Sequence, residues 1–485
     1  MRLLLSAFFI VLSIAAGSIA QTSYAPPKMS AEQVAADIRL LVDALESIHP
    51  GLDRYDTKTD RDIAVEALRR LAKTGGNEFE LYLALSRYLA AIRCDHTKAE
   101  LSPAISKHRE DHPSHLPFKF TVIDGRMFVR DFDARQGSIP RGTEILRING
   151  RQASDLIDEF ARYVSVDGYT DHVRPFKLAD DSDLLGSNFD QFYPLRYGFR
   201  PELALEIRQP GAKVEKKAAS LISYKKWRSL GDGKAVNNFS DPGAVEFRQT
   251  GGDTAYLRVA TFINYRTPID PNKVFSPIFD QIRERKIRHL IVDLRENGGG
   301  SDDVGVALGR FLLPERVIIK GALAVKALSV KPELRPFLET WNRSVFDIDP
   351  AGFAKNASGL FEKQSAPVDL EPLANAFAGR VTFLTSASNA SGVVILMARL
   401  RNVRPIRLVG EETGGSSEGP TAGVILFLNL PNSKIKVRIP VYRSFTGVKN
   451  FIPGKGLVPD VLVRATIEDL ISGRDRALES ALTDQ

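Results

Sequence analysis

The chain has 485 residues, of which 43% are hydrophobic and 26% are charged, and its net charge is +7. This composition is that of an ordinary globular protein and allows about two to four domains. The basic residues are scattered and form no dense run interleaved with aromatic residues, so we expect a soluble surface and no nucleic-acid site. The single cysteine, Cys94, excludes an internal disulfide, and the apolar helical pattern around it predicts a buried side chain rather than a second nucleophile.

Residues 1–20 predict a secretory signal peptide. Met1 and Arg2 precede an apolar stretch that ends with small residues, Ser18 and Ala20, at both positions that a signal peptidase reads. The stretch is short for a membrane span, so a cleaved signal is favoured over an uncleaved N-terminal tether. No other apolar run is long enough to cross a bilayer, and we therefore expect a protein that is secreted or periplasmic after cleavage, with no membrane span.

Residues 21–112 predict a helical domain and residues 113–222 a β-rich domain. From Val34 to Ile48 the apolar residues recur at spacings of three and four, which is typical of a helix packed against a core. The second domain consists of short β-prone runs separated by turns. On this pattern alone, one interpretation of the second domain is a plain β-rich spacer. A polar loop over residues 224–241 is the predicted boundary with the part that follows.

Residues 242–470 predict an α/β core. Apolar strands and helical segments alternate there, and such alternation is typical of a layered α/β structure with parallel crossovers. The predicted strands are residues 254–260, 290–294, 380–385, 406–409, 423–428 and 434–440, and the predicted helices are residues 271–285, 302–313 and 391–401.

Three consecutive glycines follow the predicted strand 290–294. Gly298, Gly299 and Gly300 let the backbone expose N–H groups where a side chain would obstruct a ligand. Such donors, aimed at a developing oxyanion, commonly contribute a large part of an enzyme's rate enhancement. Taken alone, the run is also typical of a plain tight turn. No Gly-Lys-Ser/Thr sequence follows it, which disfavours a nucleotide-binding loop.

A second strand–turn–helix pattern contains Ser391. β-prone apolar residues precede it, and apolar residues at helical spacing follow it. This pattern places Ser391 at the first turn of a helix, where unpaired N–H groups favour negative charge. The position suits a nucleophile, but it also suits an ordinary serine N-cap, and the stretch by itself favours the cap.

These motifs together resemble the tail-specific, or C-terminal processing, serine protease family, in the branch that includes the tricorn core and interphotoreceptor retinoid-binding protein domains. Residues 293–300 resemble that family's Asp-Leu-Arg-x-Asn-Gly-Gly-Gly signature. Residues 408–415 resemble its Gly-Glu-x-Thr-x-Gly motif, and residues 456–460 resemble its closing Gly-x-x-Pro-Asp element. The likeness runs in order from Ala31 to Val463.

The resemblance implies a crotonase/Clp protease-like core of ββα units, preceded by a small helical domain and a PDZ-like β-rich domain that captures a peptide as an added strand. It implies that Ser391 is the nucleophile and that Gly299, Gly300 and Gly392 form the oxyanion hole. It also implies that His96 is the general base, because the segment around it resembles the family's Asp-Gly-His-Thr element. Without the resemblance, His96 is better interpreted as a solvated histidine at a helix end.

Three family positions carry other residues in this chain. Ser416 stands where the lysine-dependent branch has its lysine, so we expect no Ser–Lys dyad. Pro453 stands where the tricorn-like branch has a glutamate, and Val394 stands where an acid commonly follows the nucleophile. No acid is therefore assigned to orient the general base, although Asp95 and Glu418 are candidates.

The sequence as a whole favours an exported serine-type endopeptidase that hydrolyses peptide or protein substrates. No set of His, Cys, Asp and Glu residues has metal-ligand spacing, so we expect no metal, no cofactor and catalysis that survives chelators. Because family positions are lost, a catalytically weak or inactive peptide- or lipid-binding protein is the alternative. An esterase is a third hypothesis, since the same nucleophile and oxyanion hole cleave esters. The sequence does not indicate an oligomeric state.

Overall fold

The computed structural model describes residues 24–55, 57–180, 186–231 and 236–483. The predicted signal peptide, residues 1–20, lies outside these ranges. Within them, no helix is both long enough and apolar enough to cross a membrane.

The N-terminal part is helical, as the apolar spacing predicts. Its helices are Ala31–Ile48, Lys58–Thr74, Glu78–Ala91 and Pro103–Asp111. Ser30 and Asn77 each form a reciprocal capping box, which satisfies backbone N–H groups at the start of a helix. The helix that Asn77 caps is buried on nearly all sides, and the segment that follows it, residues 92–97, is buried or half-buried throughout.

The next part is an antiparallel sheet covered by helices. In sheet order, its strands are Phe118–Ile123, Arg126–Phe132, Glu144–Ile148, Glu202–Arg208 and Val214–Ser220, and Arg151–Gln152 pairs with the third of them. Its helices are Ala153–Ala161, Val173–Ala179 and Asn188–Tyr197. Buried rings of Phe120, Phe160 and Phe189 join the sheet to the helices. The predicted β-rich character is confirmed, whereas the PDZ-like interpretation stays a prediction.

The predicted boundary loop contains a short helix, Tyr224–Arg228, that the sequence did not indicate. Ser223 caps it through its side chain, and Trp227 packs against Ile222 and Leu230. The helix is missed because one large apolar residue anchors it among polar neighbours, so no periodicity marks it.

The α/β core has the predicted fold class. Its six-stranded sheet has the order Val245–Gly251, Thr254–Val259, His289–Asp293, Arg380–Thr385, Ile406–Gly410 and Val461–Leu462. The first pair is antiparallel and the remaining pairs are parallel. The helices Pro271–Glu284, Asp302–Leu312 and Gly392–Val403 share one hydrophobic core with this sheet. Two C-terminal helices follow, Ile467–Ser472 and Arg476–Thr483, and the second packs on other residues of the same strands.

The glycine run and Ser391 meet at one edge of this sheet. The strands His289–Asp293 and Arg380–Thr385 are parallel neighbours. The chain therefore leaves both strands at the same end of the sheet. Other open parallel sheets bind ligands beyond this end, where the carboxyl ends of the strands lie. This topology places residues 298–300 beside the turn that carries Ser391.

The prediction that residues 423–428 and 434–440 belong to the core sheet is wrong. They form an antiparallel hairpin, Thr421–Asn429 with Lys436–Phe445, in a second sheet. The connection between them is too short for the crossover that a parallel arrangement requires, so the two strands can only pair with each other.

The second sheet ties the N-terminal part of the chain to the core. Its other strands are Ala322–Val325, Leu338–Glu339, Ala354–Lys355, Phe361–Gln364 and Ala99–Glu100. Two short pairs lie elsewhere, Lys28–Met29 with Gly76–Asn77 and Val317–Ile319 with Val368–Leu370. Ala99 lies opposite Val437, and the Arg438 N–H donates to the Lys98 carbonyl at 3.0 Å. The segment that carries His96 is thereby fixed against the hairpin. The domain bounds taken from the sequence stay a prediction.

Candidate active site

Asn389 holds the turn that carries Ser391 against the glycine run. Its side-chain oxygen accepts a hydrogen bond from the Ser386 N–H at 2.9 Å. Its amide group donates to the carbonyls of Asn297, at 3.0 Å, and Leu294. Asn389 is fully buried, and a buried amide satisfied in this way specifies a single backbone arrangement. One side chain therefore fixes the turn and the glycine run relative to each other.

Ser391 immediately precedes the helix Gly392–Val403 and has a φ of 53° and a ψ of −130°. Non-glycine residues rarely adopt positive φ, and such a conformation costs about 1–3 kcal/mol that the surrounding structure must offset. The side chain makes no capping hydrogen bond with the helix that it precedes. The cap that the local sequence favours is therefore wrong, and the half-buried hydroxyl is left for another partner.

Only glycine fits at positions 299 and 300. Gly299 has a φ of 98°, and a Cβ on it would lie 3.0 Å from Ser391 Cβ and 3.1 Å from the Gly392 nitrogen. Gly300 has a φ of 140°, and a Cβ on it would lie 2.3 Å from the Phe262 carbonyl carbon. The backbone of the glycine run thus packs directly against the first residues of the helix.

Two backbone N–H groups beside Ser391 have no acceptor among the described residues. The Gly299 N–H donates to Asn297 Oδ1 at 2.9 Å and is already paired. The N–H groups of Gly300 and Gly392 make no hydrogen bond within the described ranges, and a Cβ built on Gly392 would lie 4.0 Å from the Gly300 nitrogen. Unpaired N–H groups at a helix start carry partial positive charge. The pair is therefore suited to an anionic oxygen.

Residues 408–415 pack behind the nucleophile turn. The N–H groups of Gly414 and Gly415 both donate to the Asn389 carbonyl at 2.8 Å. A Cβ on Gly415 would lie 3.0 Å from the Ser391 nitrogen. This close approach explains why the motif carries glycine at these positions.

The closing element, residues 456–460, hydrogen-bonds to residues 408–415 through Thr413. The Leu457 N–H donates to the buried Thr413 hydroxyl at 2.8 Å, and the Thr413 N–H donates to the Leu457 carbonyl at 3.2 Å. The Gly456 N–H donates to the Glu412 carboxylate at 3.1 Å. Three motifs that lie far apart in the sequence thus converge on the turn that carries Ser391.

The loop that carries His96 is held against the second sheet. Cys94 Sγ donates to the Thr421 carbonyl at 3.4 Å, and the Thr97 hydroxyl hydrogen-bonds with His49 Nε2 at 2.8 Å. His96 is half-buried, and its Nδ1 is buried without a hydrogen-bond partner among the residues that the structure describes. A solvated histidine at a helix end does not fit this burial.

No hydrogen bond joins His96 to Ser391, although both lie in the described part of the chain. Residues 415–421 contact both segments. Gly415 packs on Ser391, and the carbonyl at the other end of this stretch, that of Thr421, accepts from Cys94. One stretch of chain thus contacts both segments, while the hydroxyl and the imidazole form no hydrogen bond within the described ranges.

Asp167 is a candidate acidic partner of His96 that the sequence did not reveal. Its carboxylate, a ring nitrogen of His96 and Cys94 Sγ all lie within 4.8 Å of one another. Asp167 is 6% exposed, accepts the Asp95 N–H at 2.9 Å and forms no ion pair with a lysine or arginine of the described residues. Burial raises the pKa of Asp167, whereas positive charge on His96 would lower it. No motif surrounds Asp167 in the sequence, so only the fold reveals its neighbour.

The two acids that the sequence offered for His96 have other partners. Asp95 hydrogen-bonds with Lys177 and lies 3.6 Å from the ammonium group of Lys98. Burial would raise the pKa of Asp95, but Lys177 and Lys98 hold it below its usual range. Glu418 forms an ion pair with Arg54 at 2.7 Å. The charge of each acid is thus already matched by a cation.

Cys94 is a buried thiol, as its sequence context predicts. It is 4% exposed, and burial raises the pKa of its thiol to about 12. The thiol is therefore protonated at neutral pH, and it is the thiolate that acts as a nucleophile.

The chain is similar to known proteins in part of its sequence and in its fold. Residues 253–463 match Peptidase family S41. The chain is similar to the structure of mature CPAF complexed with lactacystin, with 15% identity over 93% of this chain and 97% of that chain and a TM-score of 0.58. It is similar to a CPAF mutant with one serine replaced by alanine, with 13% identity over 91% of this chain and 94% of that chain and a TM-score of 0.60.

At these identities the likeness to CPAF concerns the fold. No curated protein matches the chain in sequence. The resemblance to a family therefore stands on the match over residues 253–463 and on the convergence of the motifs at Ser391. The match of residues 253–463 to peptidase family S41 confirms the chain's resemblance to the tail-specific proteases.

Proposed function

We propose that the chain is a serine-type endopeptidase with Ser391 as its nucleophile. The observation that carries this proposal is the placement of the Ser391 hydroxyl. It stands on a strained turn between a strand and a helix, caps nothing on that helix, and lies beside two N–H groups with no acceptor among the described residues, those of Gly300 and Gly392. Nucleophile elbows in other hydrolases share this strand–turn–helix arrangement. The family S41 domain supplies the reaction class, which is hydrolysis of a peptide bond.

In the proposed reaction, the Ser391 oxygen attacks the carbonyl carbon of the scissile peptide while His96 takes the hydroxyl proton. The oxyanion that forms accepts hydrogen bonds from the N–H groups of Gly300 and Gly392. His96 then gives its proton to the amine as the C–N bond breaks, which leaves an acyl ester on Ser391. Water, deprotonated by the same imidazole, hydrolyses the ester and restores both groups.

Asp167 supports the assignment of His96 as the base. A carboxylate near an imidazole stabilises the imidazolium that forms in each proton transfer and orients the ring. Among the described residues, the buried Nδ1 of His96 has no hydrogen-bond partner and the buried carboxyl group of Asp167 lies near the ring, and both observations fit this role. Catalytic hydrogen bonds are often long without substrate, so we expect His96 to approach Ser391 when a peptide binds.

The alternative is a peptide- or lipid-binding protein without efficient chemistry. It is favoured by the lack of a hydrogen bond between His96 and Ser391 within the described ranges. It is also favoured by Ser416 and Pro453, which replace the lysine and the glutamate of the two family branches. Peptide capture by residues 113–222 and export directed by residues 1–20 suit either function and stay predictions.

A fluorophosphonate probe distinguishes the two functions. An activated serine oxygen displaces fluoride from the phosphorus atom and becomes covalently modified, which requires a base and oxyanion donors. After labelling and digestion, mass spectrometry is expected to locate the adduct on Ser391 and not on Ser386 or Ser388 of the same turn. Absence of an adduct, or equal modification of all three serines, would favour the binding protein.

Replacing Gly299 by alanine is expected to lower kcat by about 10²-fold, because it displaces the nucleophile. The new Cβ would lie 2.7 Å from the Ala390 carbonyl oxygen and 3.0 Å from Ser391 Cβ, so the nucleophile turn has to shift. Gly298→Ala is the matched control, because its Cβ would meet no described atom closer than the Ser388 carbonyl oxygen at 3.8 Å. Steady-state kinetics and thermal unfolding of both variants check this expectation. Equal, near wild-type rates would show that the close packing of Gly299 is not needed.

Replacing Asp167 by asparagine is expected to lower kcat/KM by about 10²-fold. The direction follows from charge, because a carboxylate stabilises the imidazolium that forms on His96 in the reaction and a neutral amide does not. The measurement is kcat/KM and thermal unfolding of both proteins. An unchanged kcat/KM would mean that Asp167 acts only through its bond to the Asp95 N–H, which serves the packing of the loop.

A further inference from the structure

Cys94, His96 and Asp167 place three different metal-ligating groups together. The thiol sulfur, a ring nitrogen and a carboxylate oxygen all lie within 4.8 Å of one another. Tetrahedral zinc sites hold sulfur at about 2.3 Å and nitrogen or oxygen at about 2.0–2.2 Å, so their ligand atoms lie about 3.3–3.6 Å apart. The three ligand atoms would therefore have to close by at most about 1.5 Å.

None of the three groups pairs with a lysine or arginine within the described part of the chain, and the Asp167 carboxylate accepts one backbone N–H, that of Asp95. His96 Nδ1 is buried and makes no hydrogen bond there. The contact of Cys94 Sγ with the Thr421 carbonyl, at 3.4 Å, is that of a weak donor. Asp167 is buried without an ion pair to a lysine or arginine. A cation between the three would compensate both the buried carboxylate and the orphaned nitrogen.

We propose that Cys94, His96 and Asp167 bind Zn²⁺ or a similar divalent transition metal, and that the bound metal switches the peptidase off. The Cys94 S–H releases its proton to solvent as the sulfur–metal bond forms. A metal on one ring nitrogen of His96 leaves the other nitrogen as an N–H donor, so the ring cannot accept the Ser391 proton. The inhibitory half of this inference rests on the proposed function, whereas the metal site itself does not.

Cobalt(II) tests the site without relying on activity. Co²⁺ added to the mature full-length protein is expected to give a thiolate-to-cobalt charge-transfer band, which Cys94→Ala abolishes. His108→Ala is the matched control, because the stacked rings of His108 and His112, with centroids 4.2 Å apart, are a second candidate metal pair. It should keep the band. A wild-type spectrum without this band would overturn the site.

Zinc inhibition tests the switch. Zn²⁺ is expected to block peptide hydrolysis and fluorophosphonate labelling, and a chelator to restore both. Measured against its own metal-free rate, Cys94→Ala should need at least about 10-fold more Zn²⁺ for half-inhibition, whereas His108→Ala should behave as wild type. Equal inhibition of wild type and Cys94→Ala would overturn the switch. A protein that gives the cobalt band but neither hydrolyses nor labels would retain the metal site and lose the proposed function.

Discussion

Replacing Ser391 by alanine is expected to lower kcat for peptide hydrolysis by about 10⁴- to 10⁶-fold while the protein stays folded. The variant cannot form the acyl-enzyme, and the residual rate comes from water attacking a carbonyl held by the N–H groups of Gly300 and Gly392. The Ser391 hydroxyl makes no capping bond with the helix that follows. Its removal should therefore change the free energy of unfolding by less than about 1 kcal/mol.

Ser388→Ala is the matched control for this experiment. The Ser388 hydroxyl lies in the same turn and donates to the Arg295 carbonyl. Its loss removes this hydrogen bond and the one with the Ser386 hydroxyl at 2.9 Å, each worth about 0.5–1.5 kcal/mol of stability, and should leave kcat within a few-fold of wild type. Active-site titration, steady-state kinetics and urea unfolding of both variants separate chemistry from folding. Wild-type turnover in Ser391→Ala would place the nucleophile elsewhere.

The core elements could be predicted from the sequence because their signals are local. The strand predicted over residues 380–385 is observed as Arg380–Thr385, and the helix predicted over residues 302–313 is observed as Asp302–Leu312. Apolar periodicity and the flanking glycines fix such elements without reference to the rest of the chain. The hairpin of the second sheet was assigned to the wrong layer because periodicity identifies a strand but not its partner.

The site could be predicted only in part, because local patterns do not show which segments and side chains meet. The glycine run and Ser391 each follow a strand, and their meeting is a consequence of parallel topology. Which N–H groups remain unpaired depends instead on a side chain, because Asn297 takes the Gly299 N–H and leaves that of Gly300 without a described acceptor. A family motif identifies the glycines but does not show which of their N–H groups is paired with the Asn297 side chain.

The strained backbone of Ser391 and the position of Asp167 could likewise not be predicted from the sequence. A serine before a helix is far more often a cap, and only the observed φ of 53° and the missing capping bond with the following helix distinguish the two roles. Asp167 reaches His96 through the packing of the β-rich part on the helical part. Contacts of that kind depend on how whole layers pack and leave no local pattern.

Replacing His96 by alanine is expected to lower kcat/KM by about 10³- to 10⁴-fold, through slower acylation of Ser391. Without an imidazole the serine proton has to pass to water or hydroxide, so the rate of the variant should rise steadily with pH. His49 cannot take over. Its Nε2 hydrogen-bonds with Thr97 at 2.8 Å, and its Nδ1 accepts the Gly51 N–H at 3.0 Å, so both ring nitrogens are engaged.

His172→Ala is the matched control for His96→Ala. His172 is exposed, and its Nε2 lies 3.1 Å from the Glu412 carbonyl, close to the motif behind the nucleophile turn. Its loss should change the rate of single-turnover acylation by less than about 3-fold, since it removes one exposed hydrogen bond. If instead His96→Ala acylates at the wild-type rate, the buried ring nitrogen serves the packing of the loop and the base must be sought elsewhere. Steep loss in His96→Ala beside a near-normal His172→Ala would tie the His96 imidazole to the chemistry of Ser391.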